Sequence, residues 1–575
     1  MLAPVTLTPT LPVLSVALFL VSATAHAQDD AGATSAPDPT PVPTDLDRLV
    51  LDTGRTPFTA AEPRVLRFQL HGEYQARATE MSSFLLTPTA TVIQGHPGAT
   101  GDSLGQNFFV NHWLRITPRF EVGDKLSFVG QMDVVTGVVL GDTAHDTYTD
   151  YTPNDSYNGF KNVQPRWLYL EWLTPVGLLR AGQQGEHWGS GILANDGDHP
   201  STFGDYRYGD IMEEVLFATK PFGEKSPFVV AVAGGLVFRD SFARLTQGEH
   251  AWQGIVAALY QQGMNSLGVY GVYRYQTHDL TSADPLYPYT DKLEVGVLDA
   301  AGNFAIPIPK PGAPAYFFGS VEGAIEYGTT NEERTIQMTQ NGQTTDVRAY
   351  GGSVAAGFVL GAHDPEPRKR KAQAPMGSRP DLYGKLVTQV EVGYASGDAN
   401  PLDGVEHRFT FNPNHKVGLI LFDEVMRFQT ARAAVAAQDP NLVGPRPAPG
   451  LDLLPTQGGV SGAQYVYPTV VYRPLPNVDL KGGAVIAQTT ADVVDPYRLV
   501  TQGAYVNYQG GNPTRHDLGL ELDVGGEWRV PLDNDLTLQL GLQAGVLLPG
   551  GALADAVGTE IKTPYLILER AGLQF

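Results

Sequence analysis

The amino-acid sequence predicts an all-β fold: a transmembrane up-and-down antiparallel β-barrel of about eighteen strands with long extracellular loops. Three observations predict this fold class. Polar and apolar residues alternate along runs long enough to cross a bilayer, short and long connections follow one another in turn, and the last residue is the aromatic Phe575. Each is typical of barrels in the outer membrane of Gram-negative bacteria.

Residues 1–27 have the pattern of a signal peptide. An apolar core from Leu11 to Val21 precedes the small-x-small sequence Ala25-His26-Ala27. This core is well short of the ~20 apolar residues of a transmembrane helix, which is the alternative interpretation. We therefore expect a cleaved signal peptide, a Pro-rich periplasmic linker over 28–63 and the barrel over 64–575.

Alternation with a period of two begins directly after the linker and is typical of strands with two different faces. In the first run the apolar face comprises Leu66, Phe68, Leu70, Gly72 and Tyr74, and the polar face comprises Arg67, Gln69, His71, Glu73, Gln75 and Arg77. Similar runs occupy 125–140, 267–277, 315–328, 384–395, 517–524 and 535–544. Many are about twice as long as the ~5–6 residues usual in soluble sheets, and strands of ~13 residues tilted by ~45° cross about 30 Å.

Short and long connections alternate between these runs, as expected for periplasmic turns and extracellular loops. The short links are 122–124, 174–176, 220–228, 263–266, 474–477 and 532–534. The long stretches are 79–107, 141–162, 185–210, 239–250, 279–291, 329–346, 396–464, 490–516 and 548–562. An even number of strands places both termini in the periplasm. One link, 361–383, is long although its position in the order is periplasmic.

Composition excludes several classes of protein. The sequence has no cysteine, which excludes a disulfide framework and cysteine-based metal sites. The net charge of -22 argues against a nucleic-acid partner. No hydrolase, zinc-protease or phosphate-binding motif occurs, since Gly351-Gly352-Ser353-Val354-Ala355 lacks the final glycine of G-x-S-x-G. We expect no enzymatic activity and no cofactor.

The inward, polar face of the strands supplies the candidate site. Charges in the lumen of a barrel set its preference for ions and solutes. The candidate pore-lining residues are Arg67, His71, Glu73, Arg77, Arg115, Arg119, Glu171, Arg180, Arg274 and Glu391. These charges either line a water-filled channel or pair across a closed lumen, and the width of a barrel of about eighteen strands favours the channel.

Two acidic loops and a pair of histidines contain side chains that can bind a cation. Asp142, Asp146, Asp150 and Asp155 lie in one long stretch, and Asp196, Asp198, Asp205 and Asp210 lie in the next, close to His187 and His199. Their spacing matches no calcium-binding loop. We interpret both stretches as solvated loops that face lipopolysaccharide, and we assign no metal site.

Two further segments depart from the strand pattern. Arg368-Lys369-Arg370-Lys371 is a dense basic run on the predicted periplasmic side, either a solvated turn or a plug or docking segment. Between Leu419 and Ala437 apolar residues recur at helical spacing. We predict a helix there that either folds into the barrel mouth or packs over the rim.

Two stretches resemble the alginate-export type of porin. One is Leu179-Arg180-Ala181-Gly182-Gln183-Gln184 followed by Trp188-Gly189-Ser190-Gly191, and the other is Gly393-Tyr394-Ala395-Ser396-Gly397-Asp398-Ala399-Asn400-Pro401. The resemblance implies an eighteen-stranded diffusion channel, with an anionic polysaccharide as one candidate cargo.

The sequence therefore predicts a porin-like outer-membrane channel for passive passage of small solutes or an exported polysaccharide. The alternative is a surface-binding or adhesion barrel that acts through its long extracellular loops, and an outer-membrane hydrolase is a third hypothesis. The expected partners are outer-membrane lipid, lipopolysaccharide, the transported solute and the barrel assembly machinery, which would recognise Phe575.

Overall fold

The computed structural model describes most of the barrel and several of its loops. The described residues are 66–82, 108–123, 125–142, 163–199, 201–205, 208–223, 225–278, 291–309, 315–331, 343–362, 384–438, 454–533 and 536–575. The predicted signal peptide, the linker and the basic run at 368–371 lie outside them.

The described strands form one sheet of twenty strands, eighteen of which build the antiparallel wall of a closed barrel. The wall strands are β1 (Leu66–Met81), β2 (Phe108–Val122), β3 (Leu126–Val135), β5 (Gln164–Thr174), β6 (Gly177–Gly185), β7 (Ile211–Thr219), β8 (Phe228–Arg239), β9 (Glu249–Gln262), β10 (Asn265–His278), β11 (Asp291–Ile308), β12 (Ala315–Thr330), β13 (Thr345–Ala362), β14 (Gly384–Ala395), β16 (Ala463–Leu475), β17 (Val478–Thr489), β18 (Asp517–Asp533), β19 (Leu536–Pro549) and β20 (Tyr565–Gln574). Two short strands complete the sheet: β4 (Val138–Gly141) continues the line of β3 along β2, and β15 (Val405–Glu406) pairs in parallel with β13. The predicted barrel of about eighteen strands is confirmed.

Pairing between the first and last strands closes the ring. β1 pairs with β20 in antiparallel register from Glu73 opposite Gln574 to Met81 opposite Leu566. At the end of this seam Gly72 and Phe575 exchange two backbone hydrogen bonds of 2.8 and 2.9 Å. Every neighbouring pair of wall strands is antiparallel, so the described wall has no open edge.

The alternation in the sequence separates a lipid-facing surface from the interior. Val232, Val256 and Val524 are 50%, 59% and 61% exposed on the outside, whereas Glu171 and Glu521 point inward and are 1% and 0% exposed. Exposed aromatic side chains concentrate near the strand ends, with Phe120, Phe128, Phe228, Phe304, Phe358, Trp172 and Trp528 toward the short turns and Trp252, Tyr327, Tyr350, Tyr394 and Tyr565 toward the long loops. This apolar band with aromatic ends is the outer surface of a transmembrane barrel.

The connections follow the predicted alternation of short turns and long loops. Short turns join β2 to β3, β5 to β6, β7 to β8, β9 to β10, β16 to β17 and β18 to β19, at the positions predicted from the sequence. The long link between β13 and β14 lies outside the described residues apart from its ends.

The predicted helix within 419–437 is confirmed. A π-helical turn, Leu421–Met426, leads directly into an α-helix, Arg427–Gln438. A second short α-helix, Pro496–Gln502, is capped by the Asp495 side chain. Among the described residues no helix is long and apolar enough to cross a membrane.

Candidate functional site inside the barrel

A ladder of paired charges runs across the inner face near the short turns. Glu121 bridges Arg67 and Arg119, with N–O distances of 2.6 and 3.1 Å. Glu171 in turn bridges Arg119 and Arg180, at 3.3 and 2.8 Å. The structure therefore brings four of the predicted pore-lining residues together. Their partner Glu121 was not predicted, although it stands on the same face of β2 as Arg119.

A second group joins the two strands of the seam to a loop. Asp205 forms ion pairs with Arg77 on β1, at 3.6 Å, and with Arg570 on β20. Burial raises the pKa of the Asp205 carboxyl, but Arg570 and Arg77 outweigh this effect, and the pKa lies below its ordinary value of 3.8. Asp205 is therefore ionised at neutral pH and holds two cations from opposite sides of the seam.

Arg115 belongs to a third group. Its guanidinium pairs with Asp133 on β3, at 2.7 Å, and with Asp198. Asp198 also accepts hydrogen bonds from Arg166, at 3.0 Å, and from Gln131, at 2.9 Å. Three side chains, one from each of the neighbouring strands β2, β3 and β5, thus hold one loop carboxylate.

Three other predicted residues lie elsewhere on the wall. Arg274 on β10 pairs with Asp240, which follows β8. Glu73 accepts a hydrogen bond from Gln75, and His71 is half-buried on β1. They share the inward face of their strands with the groups above.

Glu391 completes the predicted set. Its carboxylate accepts a hydrogen bond from the Tyr465 hydroxyl, at 2.7 Å, and lies 2.9 Å from Nε2 of His415. The other ring nitrogen of His415 is 3.0 Å from the backbone oxygen of Ser190. All ten predicted residues lie on the wall strands, and their role in lining a pore stays a prediction.

One loop crosses the interior of the barrel. We call residues 186–210, between β6 and β7, the crossing loop; it is described except at 200 and 206–207. On one side the Trp188 indole donates to Asp299 on β11, at 2.9 Å, and the Ser190 hydroxyl donates to Glu322 on β12, at 2.6 Å. Farther along, the ring of Phe203 packs against glycines of β17 and β18. Asp205 then pairs with Arg570 on β20, across the ring of strands from β11 and β12. The loop thus spans the lumen.

A second segment lies inside the barrel against β14 and β18. We call residues 407–438 the inserted segment, and it includes the π-helical turn and the α-helix. The Glu521 carboxylate on β18 accepts backbone N–H bonds from Leu419, Ile420 and Leu421, at 2.5, 2.8 and 2.7 Å. Three amide groups at the start of the helical region are satisfied in this way by one inward-facing wall residue.

The two segments contact each other directly. The backbone N–H of Asn412 donates to the oxygen of Ile192, at 2.7 Å, and its side-chain amide donates to Asp210, at 2.6 Å. Burial of the Asp210 carboxyl raises its pKa well above the ordinary value, and the negative charge of the nearby Asp240 adds a smaller increase. The crossing loop and the inserted segment therefore form one connected partition inside the barrel.

The interpretation of 196–210 as a solvated, outward loop is wrong. Asp196 and Asp210 are 6% and 8% exposed, because their loop turns inward and meets the arginines of the wall. The residues missed from the sequence are mainly loop residues, and alternation carries no information about where a long loop goes. Asp133 is different, because it stands at an inward position of a predicted strand and the same period could have found it.

Comparisons with known proteins give similarity of fold only. No family model matches the sequence, and no curated protein matches it. Similar solved structures include OccAB1 of Acinetobacter baumannii (9% identity, TM-score 0.45, 88% of this chain and 97% of that one). They also include OccK9 (OpdG) of Pseudomonas aeruginosa (10%, 0.44, 89% and 98%) and the outer membrane protein OprD from the same organism (8%, 0.43, 90% and 96%). These likenesses assign neither family nor solute, and the resemblance to alginate-export porins stays a prediction.

Proposed function

We propose that this protein is an outer-membrane channel through which small hydrophilic solutes pass passively along the charged interior of the barrel. The observation that carries the proposal is that the wall has a charged inner surface and an apolar outer surface. Charged side chains of the wall, such as Glu171 and Arg115, face inward, while apolar side chains face outward. A barrel of eighteen strands is wide enough to hold a solvated lumen.

The inward segments support a selective rather than a wide passage. The crossing loop and the inserted segment occupy part of the lumen and are held by ion pairs and hydrogen bonds to wall strands on several sides. A solute has to pass beside this partition and beside charges of both signs. The contacts therefore favour a narrow path whose selectivity depends on the ion pairs that border it.

The remaining expectations belong to the same proposal. An outer-membrane location calls for the predicted signal peptide, contact with lipopolysaccharide and assembly through the C-terminal Phe575. An exported anionic polysaccharide is one candidate solute, on the resemblance of 179–191 and 393–401 to the alginate-export type of porin. We propose no catalytic reaction.

Planar-bilayer recording of the refolded full chain tests the proposal. We expect discrete conductance steps, and a reversal potential in a salt gradient that gives the sign of the preferred ion. Correct folding of the reconstituted barrel is established independently by its heat-dependent electrophoretic mobility. A correctly inserted barrel that shows no conductance at any applied voltage would contradict the channel.

The alternative of a surface-binding barrel predicts a different dependence on the loops. The described parts of the two segments point into the barrel, which favours a role in the lumen. Shortening 396–464 would leave a channel conducting, whereas an adhesin would lose its ligand. Cell-surface binding and conductance measured on the same shortened variant distinguish the two functions.

A further inference from the structure

The crossing loop brings together two histidines and an aspartate that the channel does not require. Candidate ligand atoms of His187, Asp196 and His199 all lie within 4.8 Å of one another. The two imidazole rings are stacked, with centroids 3.5 Å apart and an angle of 18° between their planes. Nδ1 of His199 is 2.9 Å from a carboxylate oxygen of Asp196.

His187 is the unusual member of this group. Its side chain is almost completely buried, with the residue 6% exposed, and neither ring nitrogen forms a hydrogen bond of good geometry with any of the described residues. Burying polar nitrogens without partners costs free energy, and a native fold keeps such a group where something else satisfies it. A cation between the three side chains would accept a lone pair from His187.

The surrounding loop holds the three residues in place. The backbone oxygen of Asp196 accepts a hydrogen bond from Arg166, and its carboxylate accepts the N–H of Asp198, at 2.9 Å. The turn before Asp196 is closed by a hydrogen bond from the backbone N–H of Trp188 to the backbone oxygen of Ala194, at 3.1 Å. These contacts come from wall and loop together, so the arrangement does not depend on the three candidate ligands alone.

We propose that His187, Asp196 and His199 form a binding site for a divalent transition-metal ion, Zn²⁺ foremost. Two imidazoles and one carboxylate are ligands that Zn²⁺ prefers, whereas Ca²⁺ and Mg²⁺ prefer sets made of oxygen alone. Three protein ligands leave a further position for water or another group. Binding would replace the hydrogen bond between Asp196 and His199 with bonds to the metal and would fix the start of the crossing loop.

Direct metal binding to the full, untagged chain tests the proposal. The refolded protein is stripped with a chelator and titrated with ZnCl₂ in a calorimeter, and then with CoCl₂ while the visible absorption of the Co²⁺ complex is recorded. We expect one ion per chain, and visible bands typical of nitrogen and oxygen ligation. An absence of binding by the folded barrel, or equal competition by Ca²⁺, would overturn the site.

Three variants make the assignment specific. His187→Ala and Asp196→Asn should weaken Zn²⁺ binding at least ~10-fold, since each removes a ligand. His516→Ala is the matched control, because His516 and Asp492 form another His–Asp pair, at 3.0 Å, outside this cluster. Undiminished binding in both ligand variants, or loss in the control, would refute the assignment. The readout is independent of conductance, so failure of the channel proposal would leave this one standing.

Discussion

Asp205 combines two functions at the scale of a single residue. It neutralises arginines on β1 and β20, and it fixes the crossing loop to the wall. Because nearby cations lower the pKa of Asp205, the ion pairs are present at neutral pH and are lost only as the pH falls through that lowered pKa, below 3.8. Mild acidification to about pH 5 should therefore leave this contact intact.

Asp205→Asn removes one negative charge from the lumen and leaves Arg77 and Arg570 without their shared carboxylate. We expect the reversal potential to shift toward anion preference, and the shift to shrink at high salt because screening weakens lumen electrostatics. Glu560→Gln, which neutralises an exposed loop carboxylate, is the control. An identical reversal potential in the wild type and in Asp205→Asn would contradict a role for this group along the solute path.

Glu521 is the residue that holds the inserted segment to the wall. Glu521→Ala leaves three buried backbone N–H groups without an acceptor, and each costs ~1–3 kcal/mol if nothing replaces it. We expect a noisier open-channel current and faster proteolysis within 419–438, whereas Glu521→Gln, which keeps one acceptor oxygen, should show a smaller effect. If Glu521→Ala shows the same current noise and protease sensitivity as the wild type, other contacts are sufficient to hold the inserted segment to the wall.

At the scale of elements, the inserted segment should limit the conductance. Replacing 419–438 with a short Gly-Ser link removes the helical region from the lumen while the wall stays closed. We expect single-channel conductance to rise about twofold or more, because more of the lumen becomes available to solvent. The same replacement of the exposed stretch 556–560 serves as control, and a conductance that rises equally in both variants would argue against a constriction.

The strands were predictable because their signal is local. In β1 the period of two and the length predict both the element and the face that meets lipid, so Arg67 and Arg77 could be placed on the inner wall. The helix near Leu419 was predictable for the same reason. The destination of a long loop depends on contacts such as Asp198 with Arg115, which join residues 83 positions apart, and no local pattern encodes them.

The long loops also supply many of the residues of the candidate site. The predicted wall residues are present, but the carboxylates that pair with Arg77 and Arg115 come partly from the crossing loop. The sequence indicates solvated positions for Asp196, Asp198 and Asp205 because their spacing matches no calcium-binding loop, but the same acidic sequence is equally compatible with a loop buried against arginines. Hydropathy alone does not distinguish these two environments.

At the scale of the whole molecule, the seam that closes the barrel contains a close approach between Gly72 and Phe575. A Cβ atom on Gly72 would lie 2.7 Å from Cε2 of Phe575, whose ring packs over this glycine on the outer face. Gly72→Val should therefore destabilise the seam by ~1–3 kcal/mol and lower the temperature at which the barrel unfolds in detergent.

Gly254→Val is the matched control for the seam, because this strand glycine has open space at its Cβ position. The measurement is the temperature at which electrophoretic mobility changes from that of the folded to that of the unfolded chain. Equal transition temperatures in the two variants would contradict a special role for the contact between Gly72 and Phe575.

The bridge from Asp205 to both seam strands has a consequence for the order of events during biogenesis. Arg77 and Arg570 belong to the first and last wall strands, which meet only when the ring completes. The crossing loop therefore acquires its full set of partners at the moment of closure and not before. Pairing of the C-terminal hairpin with β1 would then close the wall and complete the ion pairs of Asp205 in the same step. A barrel that has closed would therefore already hold the crossing loop in its final position.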